Sequence, residues 1–307
     1  MVQVLWQIPS WLAPVRWAPM ASLTLTALMA ACSVAPVDEG SDADTGSTTH
    51  ALVTVERSAL ENAADAPRAA AFAGFVRTPP AVDANAMLHL AGFGLDLPAI
   101  GQCSEPSRER DSRVRLSPLS RVEFLDAGDV TLRTSTTSAP LATRALPAVT
   151  DLIAGVVYTT RDRVADPIPA GTTYTLSTSG GAALPAFAVT ANAPALLASV
   201  SVGSVPLSQL LMVGVRSDIS LSWGRGQSRD LVYVELRAKD GSATTRCAFR
   251  DDAGVGVVPG GAFSGSGAGQ ISLHRVHSEL FATAGSVDAG EVRFDFEQGA
   301  NVEFSDE

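Results

Sequence analysis

The side chains that could carry out chemistry in this 307-residue chain are few and scattered. Its histidines are His50, His89, His274 and His277. His274 and His277 are three residues apart, and because Ile271-Ser272-Leu273 before them predicts a strand, we expect their side chains on opposite faces. No cysteine or carboxylate cluster stands beside them in the sequence. We therefore predict no metal site and no cofactor.

Signatures of a catalytic nucleophile are also missing from the sequence. The chain has no Gly-x-Ser-x-Gly elbow, and the run GGAFSGSGAG at 260–269 predicts a flexible loop. We assign no catalytic residue and expect a protein that is not an enzyme. An exported hydrolase whose Ser-His-Asp triad uses His89, His274 or His277 is the alternative, because triads are defined by geometry and not by sequence order.

Two acidic pairs could in principle hold calcium. Asp42 and Asp44 alternate, but the further ligands and the central glycine of an EF-hand loop are missing. Asp251 and Asp252 could bind calcium in a loop, and we favour a solvated turn there. A calcium-stabilised, adhesin-like module is a further alternative function.

The N-terminus has the layout of a secretory signal. Residues 17–31 (WAPMASLTLTALMAA) carry no charge and follow Arg16 directly. This apolar run is shorter than the roughly 20 residues that a membrane-spanning helix needs. Since residues 1–15 also lack charge, which is unusual ahead of a signal sequence, we expect translation to begin near Val15.

The end of this leader, Met29-Ala30-Ala31-Cys32, resembles the lipobox of bacterial lipoproteins, usually Leu, two small residues and Cys. The resemblance implies that residues 1–31 are removed and that Cys32 is lipidated, which anchors the chain to a membrane. Ser33, in place of the Asp that often marks inner-membrane retention in that family, favours the outer membrane or cell surface, with its periplasmic face as an alternative. A plain signal peptide with an incidental cysteine is the competing interpretation.

Behind Cys32, residues 32–50 are small, polar and acidic, and they predict a disordered tether. The other two cysteines, Cys103 and Cys247, would reach an oxidising compartment, where we expect a disulfide between them. An inert thiol at Cys247, on the buried side of its strand, is the alternative.

The net charge argues against nucleic acid as a partner. The chain has 22 Lys and Arg residues and 32 Asp and Glu residues, for a formal charge of −10, so we expect no nucleic-acid binding. Of the aromatic residues, Trp223 falls on an apolar strand face and predicts core packing, whereas Tyr233 is the better exposed candidate for stacking on a ligand. The expected partners are a membrane, through the lipid, and a protein or glycan.

From residue 51 onward, apolar residues alternate with polar ones, and Gly, Pro and Asp interrupt the pattern every 8–12 residues, which is typical of all-β sandwiches. We predict one sandwich over 51–192, which includes a short helix near 57–64, and an immunoglobulin-like sandwich over 193–307. Lys239-Asp240-Gly241-Ser242 predicts a hairpin turn. The predicted strands lie at 72–77, 87–93, 121–125, 130–134, 156–160, 173–177, 187–190, 219–223, 232–236, 245–249, 292–296 and 302–304.

The segment ISLSWGRGQSRDLVYVELRA at 219–238 resembles the early strands of fibronectin type III domains, in which a tryptophan packs into the core. The chain as a whole resembles exported β-sandwich lipoproteins of high-GC Gram-negative bacteria, a group with no established activity to transfer. We therefore expect a lipid-anchored protein with a non-enzymatic binding or structural function at the cell envelope.

Overall fold

The computed structural model describes residues 46–79, 88, 94–104, 122–146, 153–160 and 168–306. Several predicted features lie outside these residues: the leader, the lipobox with Cys32, the tether as far as residue 45, His89, and the predicted strand at 87–93 apart from Leu88. In the described residues, no helix is long and apolar enough to cross a membrane.

The described part of the chain is built from strands, which confirms the predicted all-β fold. The first half contributes β1 (Thr48–Leu60), β2 (Arg68–Thr78), β3 (Val122–Phe124), β4 (Val130–Arg133), β5 (Ser138–Ala145), β6 (Ile153–Thr159), β7 (Thr173–Thr178) and β8 (Phe187–Asn192). The second half contributes β9 (Ser201–Val202), β10 (Val205–Pro206), β11 (Met212–Gly214), β12 (Ile219–Ser222), β13 (Leu231–Ala238), β14 (Thr244–Arg250), β15 (Val255–Val258), β16 (Gly267–Thr283) and β17 (Val287–Ser305).

The strands form two sheets. The larger has 13 strands in the order β14-β13-β16-β17-β1-β2-β3-β6-β5-β4-β7-β8, with β11 paired to β17 off this path. The smaller runs β10-β9-β12-β15. The long hairpin of β16 and β17 occupies the third and fourth positions from the β14 edge of the larger sheet, and β1 pairs in parallel with β17 from His50–Ala289 to Leu60–Gly299. The first strand of the fold therefore adds directly to the last.

The hydrophobic core has two clusters, and β17 contributes to both. Phe294 and Phe296 belong to the first cluster, with residues from β1 to β8, while Val302 and Phe304 belong to the second. On the same face of the hairpin, the polar residues Arg275, His277 and Gln298 lie between the two clusters, so the apolar surface is interrupted halfway along the strands.

The two clusters meet near the predicted domain boundary. Ala193 belongs to the first cluster and Leu197 to the second. Residues 44–307 nevertheless form one compact unit, because β17 runs through both clusters and pairs with β1. The division into domains at 51–192 and 193–307 stays a prediction.

Several local predictions differ from the structure. The tether was expected to reach residue 50, but β1 begins at Thr48, since Thr48 and Thr49 pair with the end of β2. No helix forms at 57–64, because β1 continues to Leu60 and its backbone pairs with a strand on each side. The loop predicted at 260–269 is partly ordered: Phe263 is buried in the second cluster, and β16 begins at Gly267.

The hairpin turn at 239–242 is confirmed. It connects β13 to β14, and Gly241 has a φ of +73°, which favours glycine. The Asp240 carboxylate accepts a hydrogen bond from the Ser242 amide at 2.9 Å. The predicted last strand at 302–304 is not a separate element but the end of β17.

Candidate functional site

The outer face of the larger sheet carries a concentration of polar side chains. Alternation along β13 and β16 places Val234 and Leu273 in the core, and therefore Tyr233 and His274 on the opposite face. Cross-strand register sets Tyr233 opposite His274, and His274 opposite Glu297 of β17. Neighbouring strands thus bring together polar residues that are far apart in the sequence.

These residues border a cavity of about 500 Å³, which we call the polar cleft. Its floor is made by β13, β14, β16, β17, β1 and β2, and one wall includes Gly94 and Leu95. Neither of the two hydrophobic clusters of the described residues lies on this side of the strands, yet the floor is well shielded from water, with Tyr233 only 3% exposed. The ionisable and aromatic residues at its centre are Tyr233, Glu235, Arg246, His274, Asp295 and Glu297.

His274 is held from both sides of its ring. Its Nδ1 lies 2.8 Å from Oδ1 of Asp295, and its Nε2 lies 3.0 Å from Oγ of Ser272. The Tyr233 hydroxyl donates to Oδ2 of Asp295 at 2.8 Å, and the Tyr233 ring stacks on the imidazole with 4.1 Å between centroids. These contacts fix the orientation of the imidazole and of its carboxylate partner.

The electrostatics of the polar cleft favour a protonated imidazole. Burial lowers the pKa of His274, but the carboxylates of Asp295, Glu297 and Glu235 together outweigh it and leave the pKa raised above its ordinary value. Burial also raises the pKa of Glu297, opposed by the attraction of His274. As an imidazolium, His274 donates from both ring nitrogens, and the Ser272 hydroxyl is then its acceptor.

The remaining polar groups form pairs across the same face. Arg246 Nε donates to Glu235 Oε2 at 2.7 Å, beside the His274 group. Gln270 Nε2 donates to Glu297 Oε1 at 3.0 Å, and Arg237 Nη2 donates to Gln270 Oε1 at 2.8 Å. The floor of the cleft therefore presents donors and acceptors that are already oriented by one another.

The disulfide between Cys103 and Cys247 is confirmed, and it holds one wall of the polar cleft. Cys247 lies in β14, where its side chain faces the second hydrophobic cluster. We call residues 94–104 the strap, since they run from the cavity wall at Gly94 to this bond at Cys103. The strap covers the edge of β14, which would otherwise present unpaired backbone groups.

The structure separates His277 from the polar cleft, as the three-residue spacing predicts. His277 faces the opposite side of β16, with Nδ1 2.7 Å from Oδ1 of Asp230 and Nε2 3.3 Å from Oε1 of Glu279. Its side chain is 2% exposed, so it is a buried group between the two hydrophobic clusters.

Two expectations about single residues are wrong. Tyr233 was expected to be exposed, but it is buried because it lies between the edge strand β14 and His274, on whose ring it stacks. Asp251 was expected in a solvated turn, but it is 0% exposed and lies 2.7 Å from Arg275 Nε. Trp223 lies in the core as predicted, and its indole N–H donates to Asp251.

Within the described ranges, no group of three or more His, Cys, Asp or Glu residues is arranged to hold a metal ion. Glu235, Asp295 and Glu297 are instead engaged with arginine, histidine, tyrosine and glutamine. The chemistry that this arrangement supports is hydrogen bonding to a polar ligand by fixed donors and acceptors.

No family model matches the chain, and no curated protein matches it. Among solved structures, a two-domain fibronectin type III segment of chicken tenascin is 12% identical, over 57% of this chain and 82% of that one, with a TM-score of 0.21. The FN1–FN3 domains of chicken CNTN1 are 11% identical, over 58% and 62%, with a TM-score of 0.18.

A third solved structure, the Fcho1 mu homology domain of Danio rerio with bound Eps15 peptide, is 9% identical over 85% of this chain and 97% of that one, with a TM-score of 0.22. The resemblance of all three is weak, and it reaches only the β character of the fold.

Proposed function

We propose that this protein is a lipid-anchored, exported binding protein and that the polar cleft is its ligand site. One observation carries the proposal: charged and aromatic side chains from four different strands converge on one shielded cavity. The pKa values of His274 and Glu297 are both displaced there, and such displacement is concentrated at functional sites. We infer a non-enzymatic function.

The pairing within the polar cleft supports binding because it fixes the geometry before a ligand arrives. Glu235 and His274 are each only 9% exposed, so their charges are removed from water and depend on their partners. A ligand with hydroxyl, amide or charged groups would meet donors and acceptors already in place, at a small entropic cost. We therefore expect a polar ligand: a glycan or a polar segment of an envelope protein.

Capture from a detergent-solubilised envelope extract tests this site. The baits are the mature chain, a cleft variant with Glu235→Gln and Arg246→Gln, and a control with Arg250→Gln and Asp252→Asn. The control pair is the exposed ion pair at the end of the same strand. A component held by the mature chain and the control, but lost from the cleft variant, supports the proposal. Equal capture by all three baits contradicts it.

Membrane anchoring has its own test. The MAAC sequence at 29–32 and the leader before it support lipidation of Cys32. Cells fed a radiolabelled fatty acid should label the wild-type protein and retain it with membranes, whereas Cys32→Ala should be unlabelled and released on lysis. A label that survives in Cys32→Ala would place the lipid on another residue, and an unlabelled wild-type protein would exclude lipidation.

A hydrolase is the second candidate, because Ser272, His274 and Asp295 have the distances of a catalytic triad. One observation opposes it: the Ser272 hydroxyl is buried and does not line the cavity. We expect no hydrolysis of nitrophenyl esters above that of Ser272→Ala. A hydrolytic rate that depends on Ser272 would favour the enzyme instead.

A further inference from the structure

The strap, which forms one wall of the polar cleft, is attached to the edge strand β14. Backbone hydrogen bonds join the strap to β14: Gly101 N–H donates to Ala248 O at 2.7 Å, and Ala248 N–H donates to Gln102 O at 3.1 Å. Ser104 N–H donates to Arg246 O at 2.6 Å, and the Arg246 amide donates to Ser104 Oγ at 2.9 Å. These four hydrogen bonds and the disulfide involve residues 101–104 of the strap and residues 246–248 of β14.

The far end of the strap reaches the cavity. Gly94 and Leu95 line it, whereas the stretch from Ala99 to Gln102 is exposed, with Ile100 at 56%. Exposed residues at the margin of a fold open locally at low cost unless a covalent bond restrains them. Cys103 supplies that bond.

The disulfide also acts on the floor of the cleft through the residue before Cys247. Arg246 holds the strap with its backbone and lines the cavity with its side chain, which donates to Glu235. Because β14 is the edge strand of the larger sheet, the strap is its outer neighbour. Loss of the strap would leave the edge unpaired and Arg246 less well fixed.

We propose that the Cys103–Cys247 disulfide is a redox-sensitive device that keeps the polar cleft closed on the side of the strap. A dithiol that reduces the bond transfers two electrons and two protons to the cysteines, gives two thiols and leaves as a cyclic disulfide. Without the bond, the strap separates from β14 and the wall formed by Gly94 and Leu95 opens. The consequence for ligand affinity rests on the proposed function, whereas the opening itself does not.

The three tyrosines of the chain allow a test that needs no ligand. Tyr233 lies on the cleft floor, while Tyr158 and Tyr174 are buried in the first hydrophobic cluster. Hydroxyl-radical footprinting with mass mapping is carried out on the mature chain, on the same chain in dithiothreitol, and on Cys103→Ser/Cys247→Ser. Oxidation of Tyr233 should rise at least about fivefold on loss of the bond, with the other two unchanged.

A second variant distinguishes the contribution of the hydrogen bonds of the strap from that of the disulfide. Ser104→Pro removes the amide that donates to Arg246 and the hydroxyl that accepts from it, but keeps the disulfide, so Tyr233 oxidation should rise by less. Unchanged Tyr233 oxidation after reduction would overturn the proposal. A rise at all three tyrosines would also overturn it, since the bond would then hold the fold and not the wall.

If the polar cleft opens on reduction but the capture experiment fails, the redox-sensitive disulfide is supported and the ligand-binding function is contradicted. If capture succeeds but Tyr233 stays protected after reduction, the ligand-binding function is supported and the redox-sensitive disulfide is contradicted.

Discussion

The imidazole of His274 and the carboxylate of Asp295 lie 2.8 Å apart on neighbouring strands, on the sheet face opposite the two hydrophobic clusters. Asp295 is shared, because the Tyr233 hydroxyl donates to its second oxygen. The result is a buried charge pair in a position where a β-sandwich usually exposes isolated polar side chains. Its consequences can be measured without knowledge of the ligand.

The first prediction concerns the ionisation of His274. Burial lowers the pKa of His274, and Asp295→Asn removes one of the charges that raise it, while Glu297 and Glu235 remain. We expect the imidazole of the variant to titrate at a lower pH than that of the wild type, whose pKa lies above the ordinary value of 6.5. The measurement is an NMR titration of the His274 ring protons. Titration at the same pH in both proteins would show that the pair is not formed.

The second prediction concerns stability and pH. The pKa of Glu297 is raised in the fold, so the folded state holds a proton that the unfolded state releases. Its favourable contribution is complete below the unfolded pKa, about 4.5, and is lost as pH rises through the folded value. Urea denaturation between pH 4 and pH 8 should show the wild type losing stability relative to Glu297→Gln. A constant difference across that range would contradict this sign.

The third prediction concerns the buried ion pair between the hydrophobic clusters. Arg275 Nη2 donates to Asp251 Oδ1 at 2.9 Å, and the Arg275 Nη1 donates to the backbone oxygens of Ala195 and Leu196. Arg275→Ala would leave Asp251 buried without its partner, and we expect a loss of about 3–5 kcal/mol in the free energy of unfolding.

Trp223 is the natural reporter for this pair, since it is the only tryptophan beyond residue 31 and its indole donates to Asp251. Denaturation followed by its fluorescence gives the free energy of unfolding. Arg250→Ala, which removes an exposed partner of Asp252, should have no measurable effect. Equal effects of the two variants would show that burial does not determine the contribution of Arg275.

The fourth prediction compares two tyrosines. The Tyr158 hydroxyl donates to Asp126 at 2.8 Å and accepts from the buried Ala127 amide at 2.7 Å. Tyr158→Phe leaves that amide without its acceptor, at a cost of about 1–3 kcal/mol. Tyr174→Phe removes a single bond, to the Pro169 oxygen, and should cost less. The reverse order in thermal or urea denaturation would contradict the comparison.

The sequence predicts which side chains of each strand point toward the polar cleft, but it does not predict which strands are adjacent in the sheet. Alternation alone places Tyr233, Glu235 and Arg237 away from the core. The adjacency of β13, β16, β17 and β1 brings Glu56 to the same cavity as Glu297, and no local pattern contains that information. The burial of Tyr233 follows from this adjacency, which is why the sequence misjudged it.

Asp251 and β1 are two further cases in which local sequence does not predict the structure. A pair of aspartates in the sequence indicates a solvated turn. In the fold, however, Arg275 from a distant strand pairs with Asp251 and allows its burial. The composition at 57–64 permits a helix, but pairing with β2 on one side and β17 on the other satisfies the backbone of β1 as far as Leu60. In both places, long-range contacts override a local preference.

The most direct test of the central claim is a calorimetric titration with the component captured from the envelope extract. It is titrated into the mature chain, the Glu235→Gln/Arg246→Gln variant and the Arg250→Gln/Asp252→Asn control. The polar cleft predicts a Kd at least about tenfold weaker for the first variant, as expected for a buried hydrogen-bonded charge pair, and an unchanged Kd for the control. The same Kd in all three proteins would contradict the assignment of the cleft as the ligand site.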